Sequence, residues 1–183
     1  MLKENIYYYE LTHPQKRIYY LHKINSQSSM HNIGGCLKIF TKLNIDIMKE
    51  TLNLIIKNND ALRIRIFEEN NKVYQYIDEY RKENINYYDF SNSSQNITSF
   101  SNWSESIFKK SFKIGNEKLY YIAIYKLNEN EYGVLFNLHH IIGDGWTFNL
   151  IQKQICDIYD NLYKKTYKEP LKLYSYIDFI NEE

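Results

Sequence analysis

Proline is almost missing from this chain: two occur in 183 residues, with six glycines and two alanines, Ala61 and Ala123. So little proline and glycine excludes collagen-like and low-complexity architectures and leaves no composition from which a long linker could be built. A charge of one sign is missing too. With 23 basic and 22 acidic residues the formal net charge is +1, so no global field marks the molecule for nucleic acid or an anionic membrane. Long apolar runs are absent as well. The longest, Leu119 to Tyr125, is far too short to cross a bilayer, and Met1-Leu2-Lys3-Glu4 lacks the apolar run of a secretory signal. The expected location is the cytoplasm. Cys36 and Cys156 are too far apart for a metal knuckle or a redox pair, so two structural thiols in a reducing compartment are expected.

What is present is core-forming material. The chain is 44% hydrophobic and 25% charged, enough to bury a sizeable core in one domain. The 19 tyrosines and nine phenylalanines read as compositional bias and carry no function. Thr12 before Pro14 and Gln15 marks a helix start, predicted to run from Pro14 to Lys23. His31 to Phe40 reads as a strand entered through a bend at Gly34-Gly35. From Asn44 to Asn59, Met48, Leu52, Ile55 and Ile56 recur at helical spacing. Ala61 to Phe67 alternates Leu62, Ile64 and Ile66 with Arg63 and Arg65, as in a strand with one buried face, and Val73 to Ile77 is its hairpin partner.

Ser91 to Ser106 reads as loop, helix or both, with Trp103, Ile107, Phe108 and Phe112 favouring a helix in its second part. Lys118 to Leu127 is apolar on both faces, as in a covered central strand, and Glu131 to His139 pairs with it across Asn128-Glu129-Asn130. Ile151, Ile155, Ile158 and Leu162 give a long amphipathic helix, and Tyr174 to Asn181 a last one. No repeat interrupts this alternation, which indicates one mixed α/β unit.

The chemistry concentrates in His139-His140-Ile141-Ile142-Gly143-Asp144-Gly145. Two histidines end a strand, two glycines and an aspartate form a loop, and a helix follows. A strand end holds an imidazole rigidly, and a helix N-terminus offers free amides to a developing oxyanion. Adjacent strand residues point to opposite faces, so one histidine can meet a substrate while the other packs behind it. The same divergence argues against a zinc site, since no other cluster completes one.

This segment resembles the His-His-x-x-x-Asp-Gly signature of condensation domains, the amide-forming units of nonribosomal peptide synthetases, within the chloramphenicol acetyltransferase-like superfamily. Two further segments agree in order and separation. Leu11-Thr12-His13-Pro14-Gln15-Lys16-Arg17-Ile18-Tyr19 resembles the family's opening motif, Ser-x-Ala-Gln-x-Arg, and Asp60-Ala61-Leu62-Arg63-Ile64 its second, centred on Leu-Arg-Thr. Thr12, Pro14 and Ile64 depart mildly from the usual residues. Trp146-Thr147 resembles the version in amide-forming members.

The resemblance implies a chloramphenicol acetyltransferase-like mixed-sheet α/β sandwich, with residues 1–183 the N-terminal one of two similar lobes and the C-terminal lobe not among them. It implies an acyltransferase in which an acceptor amine attacks a donor thioester. The domain would bind no cofactor itself, both reactants riding on phosphopantetheine arms of peptidyl or aminoacyl carrier domains. Its other expected partners are the C-terminal condensation subdomain and the adenylation domain of the same synthetase. The catalytic role passes to His140, as base or as positioning group, and Gly145 lends a backbone amide. His139, Asp144 and Arg63 are implied structural residues of the site, Asp144 and Arg63 as an ion pair. Simpler roles compete: His139 as ordinary core, Asp144 as a helix cap, Arg63 as a solvated strand residue. Two other functional classes are also considered, a non-catalytic carrier-docking fragment and a stand-alone acyl-coenzyme A transferase.

Overall fold

A computed structural model describes residues 6–92, 95–170 and 175–182. Its elements run β1 (Tyr9–Glu10), α1 (His13–Ile24), β2 (Asn32–Ile39), α2 (Ile45–Asn58), a 3₁₀ turn (Asp60–Arg63), β3 (Ile64–Glu69), β4 (Lys72–Ile77), β5 (Asn86–Asp89), α3 (Asn96–Lys109), β6 (Tyr120–Asn128), β7 (Glu131–His139), α4 (Gly145–Tyr163) and α5 (Tyr176–Glu182). The predicted mixed α/β class holds: the main sheet has the order β2-β7-β6-β5 and a smaller one the order β1-β4-β3. β5 lies parallel to β6 while β2, β7 and β6 are antiparallel.

Alternation along the central strands decides the layers. Tyr120, Ile122 and Ile124 of β6 and Val134, Phe136 and Leu138 of β7 share one core with Met48, Leu52, Ile55 and Ile56 of α2, Ile151 and Ile155 of α4, and Ile64 and Ile66 of β3. On the opposite face Tyr125 and Leu135 meet Phe100, Trp103, Ile107 and Phe108 of α3. A sheet covered on both faces makes its central strands apolar throughout, as in the run from Leu119 to Tyr125.

Two sequence expectations are corrected here. Gly34-Gly35 does not bend the chain into a strand; both lie inside β2, in regular register with Asn137 and Phe136. Gly34 serves close packing instead, because a Cβ there would stand 2.4 Å from Phe108 Cδ1. The strand expected from Ala61 begins only at Ile64, because a 3₁₀ turn carries Arg63 back toward the end of α2. The stretch after Ser91 forms a helix beginning at Asn96. Tyr174, expected to open the last helix, and residues 1–4, read for a secretory signal, lie outside the described residues. No helix among the described residues is long and apolar enough to cross a membrane.

Candidate active site

The site grows from the end of β7. His139 N donates to Leu119 O at 2.8 Å and His140 N to His31 O at 2.8 Å, so the chain leaves the sheet gripped from both sides. The two histidines then part: His139 is 1% exposed, whereas His140 is exposed. His140 Nδ1 lies 2.9 Å from Gly143 O. A carbonyl can only accept, so Nδ1 carries a proton, and in the neutral ring Nε2 presents its lone pair.

Two side chains hold the loop beneath His140. Ile141 N donates to His139 Nδ1 at 3.2 Å, and Gln15 Nε2 reaches Ile141 O at 3.3 Å. Gln15 is itself held by Gln75 through reciprocal 2.8 Å amide bonds and by a capping box with Thr12 at the start of α1. The opening motif and the histidine motif, 126 residues apart, therefore meet at one peptide group.

Behind the loop lie three imidazoles. His139 Nε2 is 3.2 Å from His22 Nδ1, and the ring of His31 is 5.9 Å from His139 and 6.2 Å from His22, centre to centre. His22 and His31 are buried as well. Burial holds His139 down to about 3, with repulsion from His22, His31 and His140 adding to it; burial also lowers His22. Burial therefore favours the neutral form of both His139 and His22 at ordinary pH. Among the described residues no His, Cys, Asp or Glu cluster has the geometry to hold a metal ion.

Asp144 caps α4. Its Oδ1 accepts from Thr147 N at 3.1 Å while Thr147 Oγ1 accepts from Asp144 N at 2.9 Å. Gly145 is the first residue of the helix, with nothing within 4 Å of where a Cβ would stand, and the geometry of a helix start leaves its amide without an intrahelical partner. Open space, the helix-start amide of Gly145 and the Nε2 of an exposed imidazole thus stand at the same strand-to-helix junction.

The expected ion pair between Asp144 and Arg63 is a correction: it is not formed among the described residues. Arg63 donates from Nη1 to Ile56 O at 2.7 Å and Lys57 O at 2.6 Å, and from Nε to Asp78 O at 3.1 Å. Carbonyls at a helix C-terminus lack intrahelical donors and carry the negative end of its dipole, so they attract a guanidinium. Arg63 ties α2 to β4 and stays out of the loop. Sequence reasoning missed His22 and His31 as parts of this site; the visible signal was their type, since a histidine on the buried side of a helix needs a polar partner.

Comparison with known proteins agrees with this architecture. A family model described as condensation domain matches residues 5–183. Surfactin synthase subunit 1 of Bacillus subtilis (strain 168) is 32% identical over 181 residues, which is 97% of this chain and 5% of that protein. The starter condensation domain of the rhizomide synthetase RzmA superposes with a TM-score of 0.89 at 18% identity, over 96% of this chain and 43% of its own. The first condensation domain of the CDA synthetase gives a TM-score of 0.84 at 16% identity, over 96% and 45%. The chain thus spans a small fraction of its curated relative and less than half of each solved domain.

Proposed function

Since the chain belongs to the condensation-domain family, and its relatives include synthetases such as that for surfactin, we propose that it is the N-terminal, histidine-bearing lobe of a domain that joins two carrier-tethered substrates by an amide bond. The observation that carries this is His140: exposed at a strand end, its Nδ1 occupied by Gly143 O and its Nε2 free, in the same loop that opens α4 at Gly145.

In the reaction the acceptor amine attacks the donor thioester carbonyl. A C–N bond forms, the C–S bond breaks, and the donor arm leaves as a thiol. The amine must lose a proton on the way. His140 Nε2 accepts that proton or holds the amine by a hydrogen bond, and a positioned imidazole contributes roughly 10²–10⁴ in rate. The start of α4 at Gly145 offers its amide to the carbonyl oxygen as negative charge gathers there. Both substrates arrive on phosphopantetheine arms of carrier domains, and the domain itself binds no cofactor. A C-terminal lobe supplies the other wall of the passage, so the 183-residue chain alone is inactive.

The test is reconstitution of the complete synthetase with one carrier loaded as donor and the next as acceptor, following the amide product by mass spectrometry. Product is expected from the unaltered protein and not from His140→Ala, with carrier binding the same in both. Binding with product unaffected by His140→Ala would make the lobe a docking piece. Product formed from an acyl-coenzyme A without carriers would make it a stand-alone acyltransferase.

A further inference from the structure

Two of the three buried imidazoles, His139 and His22, are linked by hydrogen bonds that run in one direction. Ile141 N can only donate, and it points at His139 Nδ1 across 3.2 Å. His139 Nδ1 therefore bears no proton, and the neutral ring carries its hydrogen on Nε2. That hydrogen faces His22 Nδ1, also 3.2 Å away, which accepts it and so must itself be unprotonated. Each link fixes the next: His22 sets the tautomer of His139, and that tautomer holds the Ile141 amide.

The consequence reaches His140 because Ile141 follows it directly. With Ile141 N on His139, Ile141 O on Gln15 and His140 N on His31 O, the peptide groups on both sides of the reactive residue are pinned. We propose that His22, although it is buried behind His139, is a positioning residue for the chemistry at His140, acting through the His139 tautomer. This rests on the reading of His140 given above. The titratable groups that face the relay are His22, His31, His139 and His140 themselves, and among the described residues no carboxylate pairs with any of them. The relay thus works only with His22 and His139 both neutral.

Removing the acceptor breaks the chain at its first link. With leucine at position 22, His139 Nε2–H is buried without a partner; if the ring instead moves its proton to Nδ1, two hydrogens confront each other at Ile141 N. Glutamine keeps an acceptor oxygen there.

Two measurements test this. In the 183-residue chain, ¹⁵N imidazole shifts are expected to show His139 protonated at Nε2 in the unaltered protein and in His22→Gln, and a mixed tautomer with a displaced Ile141 amide in His22→Leu. In the complete synthetase, His22→Leu is expected to lower kcat about tenfold, the order of one lost buried hydrogen bond, with the KM for the loaded acceptor carrier unchanged and His22→Gln restoring kcat. Finding the His139 proton on Nδ1 in the unaltered protein overturns the proposal, whatever the folding of His22→Leu. So does an unmoved kcat and Ile141 amide in His22→Leu while His140→Ala abolishes turnover. Unchanged turnover in His140→Ala, with the tautomers as expected, would instead overturn the catalytic role of His140.

Discussion

Lowering the pH from 8 to 5 should weaken this fold through His139. The ring is 1% exposed and held down to about 3, whereas in the unfolded chain it titrates near 6.5. Between those values the unfolded state binds a proton that the folded state refuses, so stability is full above about pH 6.5 and declines as pH falls toward 3. At pH 5 the proton bound only by the unfolded chain costs about 2 kcal/mol, a large share of a typical 5–15 kcal/mol total. His22, lowered by burial, acts in the same direction. The carboxylates of Glu10, Glu68, Asp89 and Glu105 are held below their usual range, by Lys16, Lys23, Ser91 and Lys109 respectively, and their contributions fade only at lower pH. The window from 8 to 5 therefore isolates the imidazoles. Urea unfolding, followed by circular dichroism and by fluorescence of Trp103, which packs against Phe90, Phe100 and Tyr88, measures the loss. His139→Asn removes the titrating ring, so its stability should fall less across the window. An unaltered protein that loses no more than His139→Asn would refute the burial argument.

Two further outcomes follow from the geometry. Gly34→Ala places a Cβ 2.4 Å from Phe108 Cδ1 and should cost about 1–3 kcal/mol by overpacking, partly recovered by adding Phe108→Val; thermal unfolding of the single and double variants checks it. Asp144→Ala removes the α4 cap and should cost about 1 kcal/mol while Asp144→Asn costs less; because Arg63 bonds elsewhere, a double-mutant cycle of Asp144→Ala with Arg63→Met should be additive to within about 0.5 kcal/mol.

The sequence reveals what its periodicities encode. The stripe Met48, Leu52, Ile55 and Ile56 and the alternation on β6 and β7 report burial directly, so α2 and the centre of the sheet were readable. So was the divergence of His139 and His140, which follows from the strand's two-residue period. The β3–β4 hairpin was readable too, although its turn places Asn70 and Asn71 at φ 51° and 60°, a left-handed conformation asparagine tolerates. What escaped depends on contacts between distant segments. Short β5 has no alternating apolar pattern and is defined by parallel pairing to β6. Gly34 looked like a bend because the ring that needs its missing side chain, Phe108, is 74 residues later. Arg63 looked like an outward strand residue until a 3₁₀ turn aimed it at the carbonyls of α2. His22 and His31 acquire meaning only beside His139, a neighbourhood set by the packing of α1 against the end of β7.

The central claim is that one imidazole nitrogen, freed by the Nδ1 bond to Gly143 O, acts on the amine as the new bond forms. A single-turnover measurement in the complete synthetase, mixing donor-loaded and acceptor-loaded carriers and quenching on the millisecond scale, reads that step without product release. The account predicts that His140→Ala slows amide formation roughly 10²–10⁴-fold while both thioesters stay loaded; a rate constant equal to that of the unaltered protein would contradict it.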